Sequence, residues 1–125
     1  MALSLTQPWA SLVIDGRKHV ETRSWKTRYR GPLAIHATRE ADHSACIEFG
    51  YDPATIPLRA VLGTARLVDC VQFLALFPPA GRFGAEEMKY GDFSPGRFGF
   101  VLESACKFAK PLPARGSFGL WEWLG

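Results

Sequence analysis

Residues 3–12, LSLTQPWASL, and residues 16–31, GRKHVETRSWKTRYRG, decide how the rest of this chain is interpreted. The first stretch opens with a short strand at Leu3–Leu5. Pro8 then suits the first position of a helix, where its missing N–H has no partner to lose. The helix carries an apolar stripe at positions i, i+3 and i+4, formed by Trp9, Leu12 and Val13. Gly16 is placed to end it in a left-handed turn, so we predict a strand, a short helix and a turn into the second stretch.

Positive charge is concentrated in that second stretch. The chain of 125 residues carries 15 Lys and Arg against 12 Asp and Glu, a formal net charge of +3. Residues 16–30 hold six cations and one acid, Glu21, a net of +5, so the remaining residues sum to −2. Clustered charge of this kind attracts phosphates whatever the net charge of the chain. The same run also fits an ordinary solvated loop, and charge alone does not separate the two interpretations.

Length and composition predict one globular domain over residues 1–125. With 47% hydrophobic and 22% charged residues, the chain can bury a core without disulfides or metals, and disorder, collagen and coiled coil are excluded. Cys46, Cys70 and Cys106 lie among apolar neighbours without the spacing of a zinc site, so we expect small buried hydrophobes, no metal and no cofactor. A reducing cytoplasm is the simplest compartment, since no signal peptide or membrane-length apolar run is present.

The remaining segments predict a strand-rich domain. Strands are expected at residues 18–23, 33–37, 60–69, 97–103, 107–112 and 120–124. A second helix is expected from Arg39 to Phe49, capped by Thr38 and ended by Gly50. Gly63 marks a bulge or a close approach of another strand, and residues 81–96 form a polar loop of the kind that borders a site. Six or so short strands with two helices suggest a small mixed or β-barrel domain.

The two stretches also resemble a known family. Residues 7–11, QPWAS, are followed at fixed spacing by 16–18, GRK, and 21–25, ETRSW, a pattern similar to the ASCH (activating signal cointegrator homology) family and its stand-alone bacterial members. The resemblance extends through residues 62–70 and 116–121 and so covers essentially the whole chain. It implies an α+β, PUA-like small β-barrel of about six strands with two or more flanking helices. It also implies a ligand cleft beside the first helix and the strand after it, mapped onto Gly16, Lys18, Glu21 and Arg23.

The residues that we assign to nucleic-acid binding belong to the basic stretch or to the helix start beside it. They are Gln7, Arg17, Lys18, Arg23, Trp25, Lys26, Arg28, Tyr29 and Arg30. Aromatic rings interleaved with cations suit stacking on unpaired bases together with phosphate contacts. Three alternatives stay open: Trp25 packs against the barrel, Gln7 caps the helix, and Lys18, Glu21 and Arg23 form a surface ion-pair ladder. Trp9 is expected in the core.

The leading functional hypothesis is a module that binds nucleic acid or a nucleoside ligand, with RNA favoured over DNA. No membrane partner is expected, and protein partners and oligomeric state are left open. The alternative is a small hydrolase, an amidohydrolase or a ribonuclease. A more distant branch of similar proteins hydrolyses N(4)-acetylcytidine with a lysine, a threonine and a glutamate. Lys18 matches that lysine, Glu21 stands at the threonine, and Glu86 or Glu87 on the polar loop stands for the glutamate. Lys18 and Glu21 are therefore the catalytic candidates, although a carboxylate beside Lys18 favours the charged amine.

Overall fold

One curled, six-stranded sheet organises the chain in the computed structural model, which describes residues 1–125. The strands are β1 (Ala2–Gln7), β2 (Val20–Arg23), β3 (Gly31–Ala41), β4 (Ala60–Gln72), β5 (Phe98–Pro113) and β6 (Leu120–Trp121). The helices are α1 (Trp9–Ile14), α2 (His43–Phe49), α3 (Pro79–Phe83) and a 3-10 helix at Glu87–Tyr90. The strand order is β2-β5-β4-β3-β1-β6, with β1 and β3 parallel and the other pairs antiparallel. The predicted α+β class with about six strands is confirmed.

The first stretch folds into the predicted strand, short helix and turn, except that Pro8 is the N-cap and the first helical residue is Trp9. Strand β1 is followed by α1, whose residues 10–14 are buried, and the chain turns at Gly16 with φ +77°. Gln7 caps the helix, because its side-chain oxygen accepts a hydrogen bond from the backbone N–H of Ser11 at 2.9 Å. Its amide nitrogen donates to Ser11 Oγ at 2.8 Å and to the carbonyl of Pro57 at 2.9 Å.

The second helix starts later than predicted. Strand β3 continues to Ala41, and the cap is Asp42, whose carboxylate accepts a hydrogen bond from the N–H of Ala45 at 3.0 Å. Thr38 as the cap is therefore wrong, because its backbone oxygen accepts a hydrogen bond from the N–H of Arg59 and Ala41 pairs with Gln7 on β1, which holds this part of the chain extended. The helix ends at Gly50, in the left-handed conformation, as predicted.

Close packing of β4 on β5 accounts for Gly63. A Cβ placed there would lie 2.1 Å from the backbone oxygen of Cys106, and the pairing register shifts between Val61 and Gly63. The predicted close approach is confirmed. The two strands expected at 97–103 and 107–112 form the single long strand β5, because irregularities in its pairing with β4 let it bend without breaking.

The core lies inside the curl, between α1 and the sheet. Fourteen buried apolar residues form its main cluster, with Leu3, Val13, Ile35 and Phe100 among them. Trp9, expected in the core, is half-buried and packs against this cluster from its edge. A smaller cluster on the other face receives Trp121 and Trp123. Cys46 is buried and Cys70 half-buried, but Cys106 is exposed, so the prediction of three buried cysteines is wrong for Cys106, which sits on the bent part of β5. No helix here is long and apolar enough to cross a bilayer.

Candidate nucleic-acid interface

The sheet is open between its two edges, and two clefts meet at the opening. β2 forms one edge, and β1 lies next to the other. Arg23 on β2 spans the gap, since its Nη2 donates to the backbone oxygen of Ser4 on β1 at 2.8 Å. Ser4 and Arg23 line both clefts and thus form the wall between them. The first, which we name the edge cleft, has a volume of about 520 Å³ and is lined also by Trp9, Glu21 and Asp92. The second, which we name the arginine cleft, has a volume of about 1140 Å³ and is lined also by Arg39, Arg59 and Arg115.

Glu21 and Arg23 form an ion pair in the wall of the edge cleft. Glu21 Oε2 lies 2.8 Å from Arg23 Nη2 and accepts a hydrogen bond from its Nε at 3.0 Å. The two side chains are only 12% and 22% exposed, so water screens the pair less than it would on an open surface. The arrangement is concave, unlike the surface ladder that the sequence left open. With its charge matched by Glu21, Arg23 has less to offer a phosphate than an unpaired arginine has.

Lys18 lies behind this wall and not in it. Its side chain has no exposed surface, and its Nζ donates to the backbone oxygens of Val20 at 2.6 Å and Tyr90 at 2.8 Å. Glu21 Oε1 lies 3.4 Å away, so three acceptors surround Nζ and match the three hydrogens of an ammonium. Burial lowers the pKa of Lys18, and Glu21 and Glu87 oppose that shift. The sequence indicated the effect of Glu21 but not the larger effect of burial.

The assigned roles of Lys18 are not available in this arrangement. A side chain without exposed surface touches neither a phosphate nor an attacking water, and all its hydrogens already have acceptors. Glu21 keeps access to the edge cleft, but one of its oxygens is held by Arg23. The geometry therefore favours a structural role for Lys18, in tying β2 to the 3-10 helix.

Glu87 completes that tie. The residue is 4% exposed, and its carboxylate accepts hydrogen bonds from the backbone N–H groups of His19, at 3.0 Å to each oxygen, and Val20, at 3.1 Å. The sequence offered Glu87 only as a catalytic glutamate. Its oxygens instead satisfy the donors at the start of β2, which explains why a carboxylate is buried here. Glu86, the other glutamate named with it, is exposed and pairs with Lys89 at 2.9 Å.

The arginine cleft gathers cations from one end of the sheet. Ala37 on β3 pairs with Ala60 on β4, which pairs with Pro113 on β5, so these residues form one rung. An arginine lies within two residues of each of them, at positions 39, 59 and 115. These three arginines and Arg23 line the cleft, which no acidic residue lines. Arg39 contacts Glu40 at 3.9 Å, but both are exposed and such a pair contributes little.

His36 and Ser4 fix the loop that closes this cleft. His36 is 2% exposed; its Nε2 lies 2.8 Å from the backbone oxygen of Ala114, and its Nδ1 lies 2.9 Å from Ser4 Oγ. A carbonyl only accepts, so Nε2 carries the hydrogen of this bond. Trp121 Nε1 also donates to Ser4 Oγ, at 3.0 Å. These contacts give His36, which lies within β3, a structural role.

Several residues assigned from sequence point into the protein. Gln7 is fully buried with its amide bonded, so it serves as the helix cap and not as a contact for a base. Trp25 packs edge-on against Phe100, with ring centroids 5.1 Å apart, which is the barrel-packing alternative. Tyr29 packs against the core and donates its hydroxyl to the backbone oxygen of Pro32 at 2.5 Å. Both rings are half-buried and packed against the core, which favours the packing alternative over a stacking platform.

The remaining cations of the basic stretch are exposed. Arg17 donates to the backbone oxygen of Phe49 at 2.8 Å, and Arg30 lies 3.8 Å from an oxygen of Asp69. Lys26 and Arg28 make no ion pair. None of these four lines either cleft. The structure thus leaves them as surface charges and brings together the arginines that charge counting along the chain did not single out.

Residues missed from sequence cluster in the arginine cleft: Arg39, Arg59, Arg115 and Phe118. None of the three arginines has other cations close to it in the sequence, so no run of positive charge marks the cluster. Arg59 also has φ +54°, a conformation that costs a residue with a Cβ about 1–2 kcal/mol and that follows from tertiary contacts. Only the strand pairing, which places the ends of β3 and β5 beside the start of β4, would have indicated the cluster.

Comparison with known proteins agrees with this architecture. The chain is 31% and 32% identical, over 96% of its length, to activating signal cointegrator 1 of Mus musculus and of Homo sapiens, and it spans 22%, about a fifth, of those proteins. Among solved structures it is similar to ASCH from Zymomonas mobilis. The structure of a tyrosine-to-phenylalanine mutant of that protein matches with a TM-score of 0.62 and 23% identity, and the match covers 90% of this chain and 73% of that one. The structure of the unsubstituted protein matches with a TM-score of 0.59 and 22% identity, and the match covers 90% of this chain and 71% of that one. The predicted PUA-like fold is confirmed. Since the family model described as the ASCH domain matches residues 3–109, this chain belongs to the ASCH family.

Proposed function

We propose that this chain binds nucleic acid, RNA in preference to DNA, through the arginine cleft. The observation that carries the proposal is the convergence of Arg23, Arg39, Arg59 and Arg115 on one concavity that no acidic residue lines. Guanidinium groups bind phosphate oxygens through two parallel hydrogen bonds. A cleft lined by positive charge without acidic residues focuses the electrostatic field that attracts a phosphate. The ASCH family is associated with RNA binding, which favours RNA as the partner. The three cysteines are free, which is typical of a reducing compartment, and we place the activity in the cytoplasm.

Three of the four arginines are open to a phosphate. Arg23 is held by Glu21 and Ser4, whereas Arg39, Arg59 and Arg115 are exposed. Three phosphate contacts on a single strand correspond to a slope of about −2 in a plot of log affinity against log salt. The exposed cations Arg17, Lys26, Arg28 and Arg30 add to attraction at long range in this proposal, and they do so without lining a cleft. Affinity then depends mostly on the cleft and less on the basic stretch.

Paired charge reversals separate the two surfaces. Arg59→Glu with Arg115→Glu removes charge from the cleft, and Arg28→Glu with Arg30→Glu removes the same charge from the basic stretch. Fluorescence anisotropy of a labelled RNA of about 12 nucleotides, close to the site size of small single-strand binders, measures affinity for each variant and for the wild-type chain in KCl of about 20 to 200 mM. We expect the cleft pair to lose at least about tenfold and the other pair only a few-fold, since long-range attraction is screened by salt.

Matched measurements make the proposal refutable. Arg66→Glu with Arg82→Glu changes the same net charge on exposed residues outside the cleft. The proposal fails if the wild-type chain binds no RNA at about 20 mM KCl, if its affinity does not fall with salt, or if the cleft pair loses no more than this control. A DNA oligonucleotide of the same sequence tests the preference for RNA.

A further inference from the structure

Phe118 stands fully in solvent at the rim of the arginine cleft. Its side chain is 99% exposed, more than any other large hydrophobic residue of the chain, and it lines the cleft with Arg59 and Arg115. A phenyl ring in water gains nothing from folding, because the hydrophobic contribution requires that the ring be removed from water. The ring is therefore free to cover, and be covered by, an apolar surface that enters the cleft.

The loop that carries Phe118 is fixed by contacts on two sides. At its start, the N–H of Ala114 donates to the backbone oxygen of Arg59 at 3.0 Å, and the oxygen of Ala114 accepts from His36. Gly116 packs flat against His36 and Ser4, since a Cβ there would lie 2.6 Å from His36 Cε1 and 2.7 Å from Ser4 Oγ. These contacts hold the residues beside Phe118 against the sheet. A ring on such a loop requires less ordering on binding than one on a free segment.

We propose that Phe118 stacks on one unpaired base of a single-stranded segment whose phosphates contact the neighbouring Arg59 and Arg115. This inference rests on the proposed function and names the form of nucleic acid that the cleft takes. Every base has a π face, and stacking on an aromatic side chain is tolerant of sequence. A base inside a duplex is stacked on both faces and offers none to the ring. The occupant is thus a single strand, and a duplex has only the arginine contacts.

Four ligands of equal length separate stacking from charge. They are a labelled single-stranded RNA, a blunt RNA duplex, an abasic oligonucleotide that keeps the phosphates without the bases, and a single-stranded DNA. Phe118→Ala removes the ring, and Phe118→Trp keeps a stacking surface. Phe77→Ala is the matched control, because Phe77 is also a largely exposed phenylalanine, 73%, and it does not line the cleft. Anisotropy at a single salt concentration gives the affinities.

The expected pattern is a loss confined to ligands with free bases. Phe118→Ala weakens single-stranded RNA by about tenfold, within the range measured for loss of one stacked base, and leaves the abasic ligand and the duplex unchanged. Phe118→Trp retains wild-type affinity, and Phe77→Ala does as well. Near-ultraviolet circular dichroism of each variant confirms that the fold is kept.

Three outcomes overturn the inference while the proposed function stands. They are equal affinity of Phe118→Ala and wild type for single-stranded RNA, an equal loss on the abasic ligand, and a loss in Phe118→Trp as large as in Phe118→Ala. The second would indicate that Phe118 shapes the loop, and an unchanged affinity would leave the ring to a protein partner. If the wild-type chain binds none of the four ligands at about 20 mM salt, the proposed function fails as well.

Discussion

Replacing Lys18 by methionine should destabilise the fold without removing any charge from the surface. The side chain is fully buried, and its Nζ bonds two backbone oxygens and contacts Glu21. Methionine fills a similar volume, so the loss is polar: the oxygens of Val20 and Tyr90 lose a donor, and Glu21 keeps only Arg23. Removing one partner of a buried charged group costs about 3 kcal/mol, at the low end of measured values because Glu21 stays paired.

Urea unfolding followed by tryptophan fluorescence measures the effect. At a slope of about 2 kcal/mol per molar, a loss of about 3 kcal/mol moves the midpoint down by about 1.5 M. Lys26→Met removes an exposed lysine of the same basic stretch and should stay within about 0.5 kcal/mol of the wild-type chain. If Lys18→Met is as stable as Lys26→Met, or if it loses RNA affinity while remaining as stable as wild type, the structural role that we assign to Lys18 is refuted.

Two further predictions concern Arg59, which lines the arginine cleft, and Tyr51, which does not. Arg59→Gly should raise the unfolding free energy by about 0.5–1 kcal/mol, because glycine adopts φ +54° without strain, and should weaken RNA binding at the same time. Arg66→Gly, inside β4, should instead lower stability, and a loss of stability in Arg59→Gly would refute the reasoning. Burial and the hydrogen bond to Asp15 raise the pKa of Tyr51 to about 12 from 10. The contribution of the neutral Tyr51 phenol to the stability of the fold is therefore complete below about pH 10 and is lost as pH rises through about 12. The urea midpoint should therefore fall more steeply between about pH 10 and 12 for wild type than for Tyr51→Phe, and parallel curves would contradict this.

Local signals in the sequence predicted the elements whose ends depend on one residue. Gly16 and Gly50 end their helices in left-handed turns, and Gly63 lies where β5 approaches too closely for a Cβ. These outcomes depend on backbone conformation and sterics that the residue itself dictates. Thr38 failed as a cap because its segment is held extended by the N–H of Arg59 and by β1, and no property of Thr38 reveals those partners.

The candidate site was harder to predict, because the same residue type serves opposite roles according to burial. Lys18 and Lys26 both belong to the basic stretch, yet one is enclosed and the other exposed. Lys18 lies just before β2, two residues from Val20, and both side chains are buried. A buried lysine needs an acceptor for each of its hydrogens. Val20 and Glu21 supply two of them locally, but the third, the backbone oxygen of Tyr90, comes from the 3-10 helix, and nothing near Lys18 in the sequence indicates it.

Charge that lies far apart along a chain is brought together by the antiparallel order of the strands. Chain direction reverses between β3 and β4 and again between β4 and β5, so the end of β3, the start of β4 and the end of β5 meet at one end of the sheet. Any cation near the end of β3, just before the start of β4 or just after the end of β5 is therefore added to the same patch. Arg39, Arg59 and Arg115 satisfy this condition although up to 76 residues separate them in the chain. Binding to phosphates depends on distance in space, which is why a count along residues 16–30 identified a charged surface, while the pairing of three strands identifies a charged cleft.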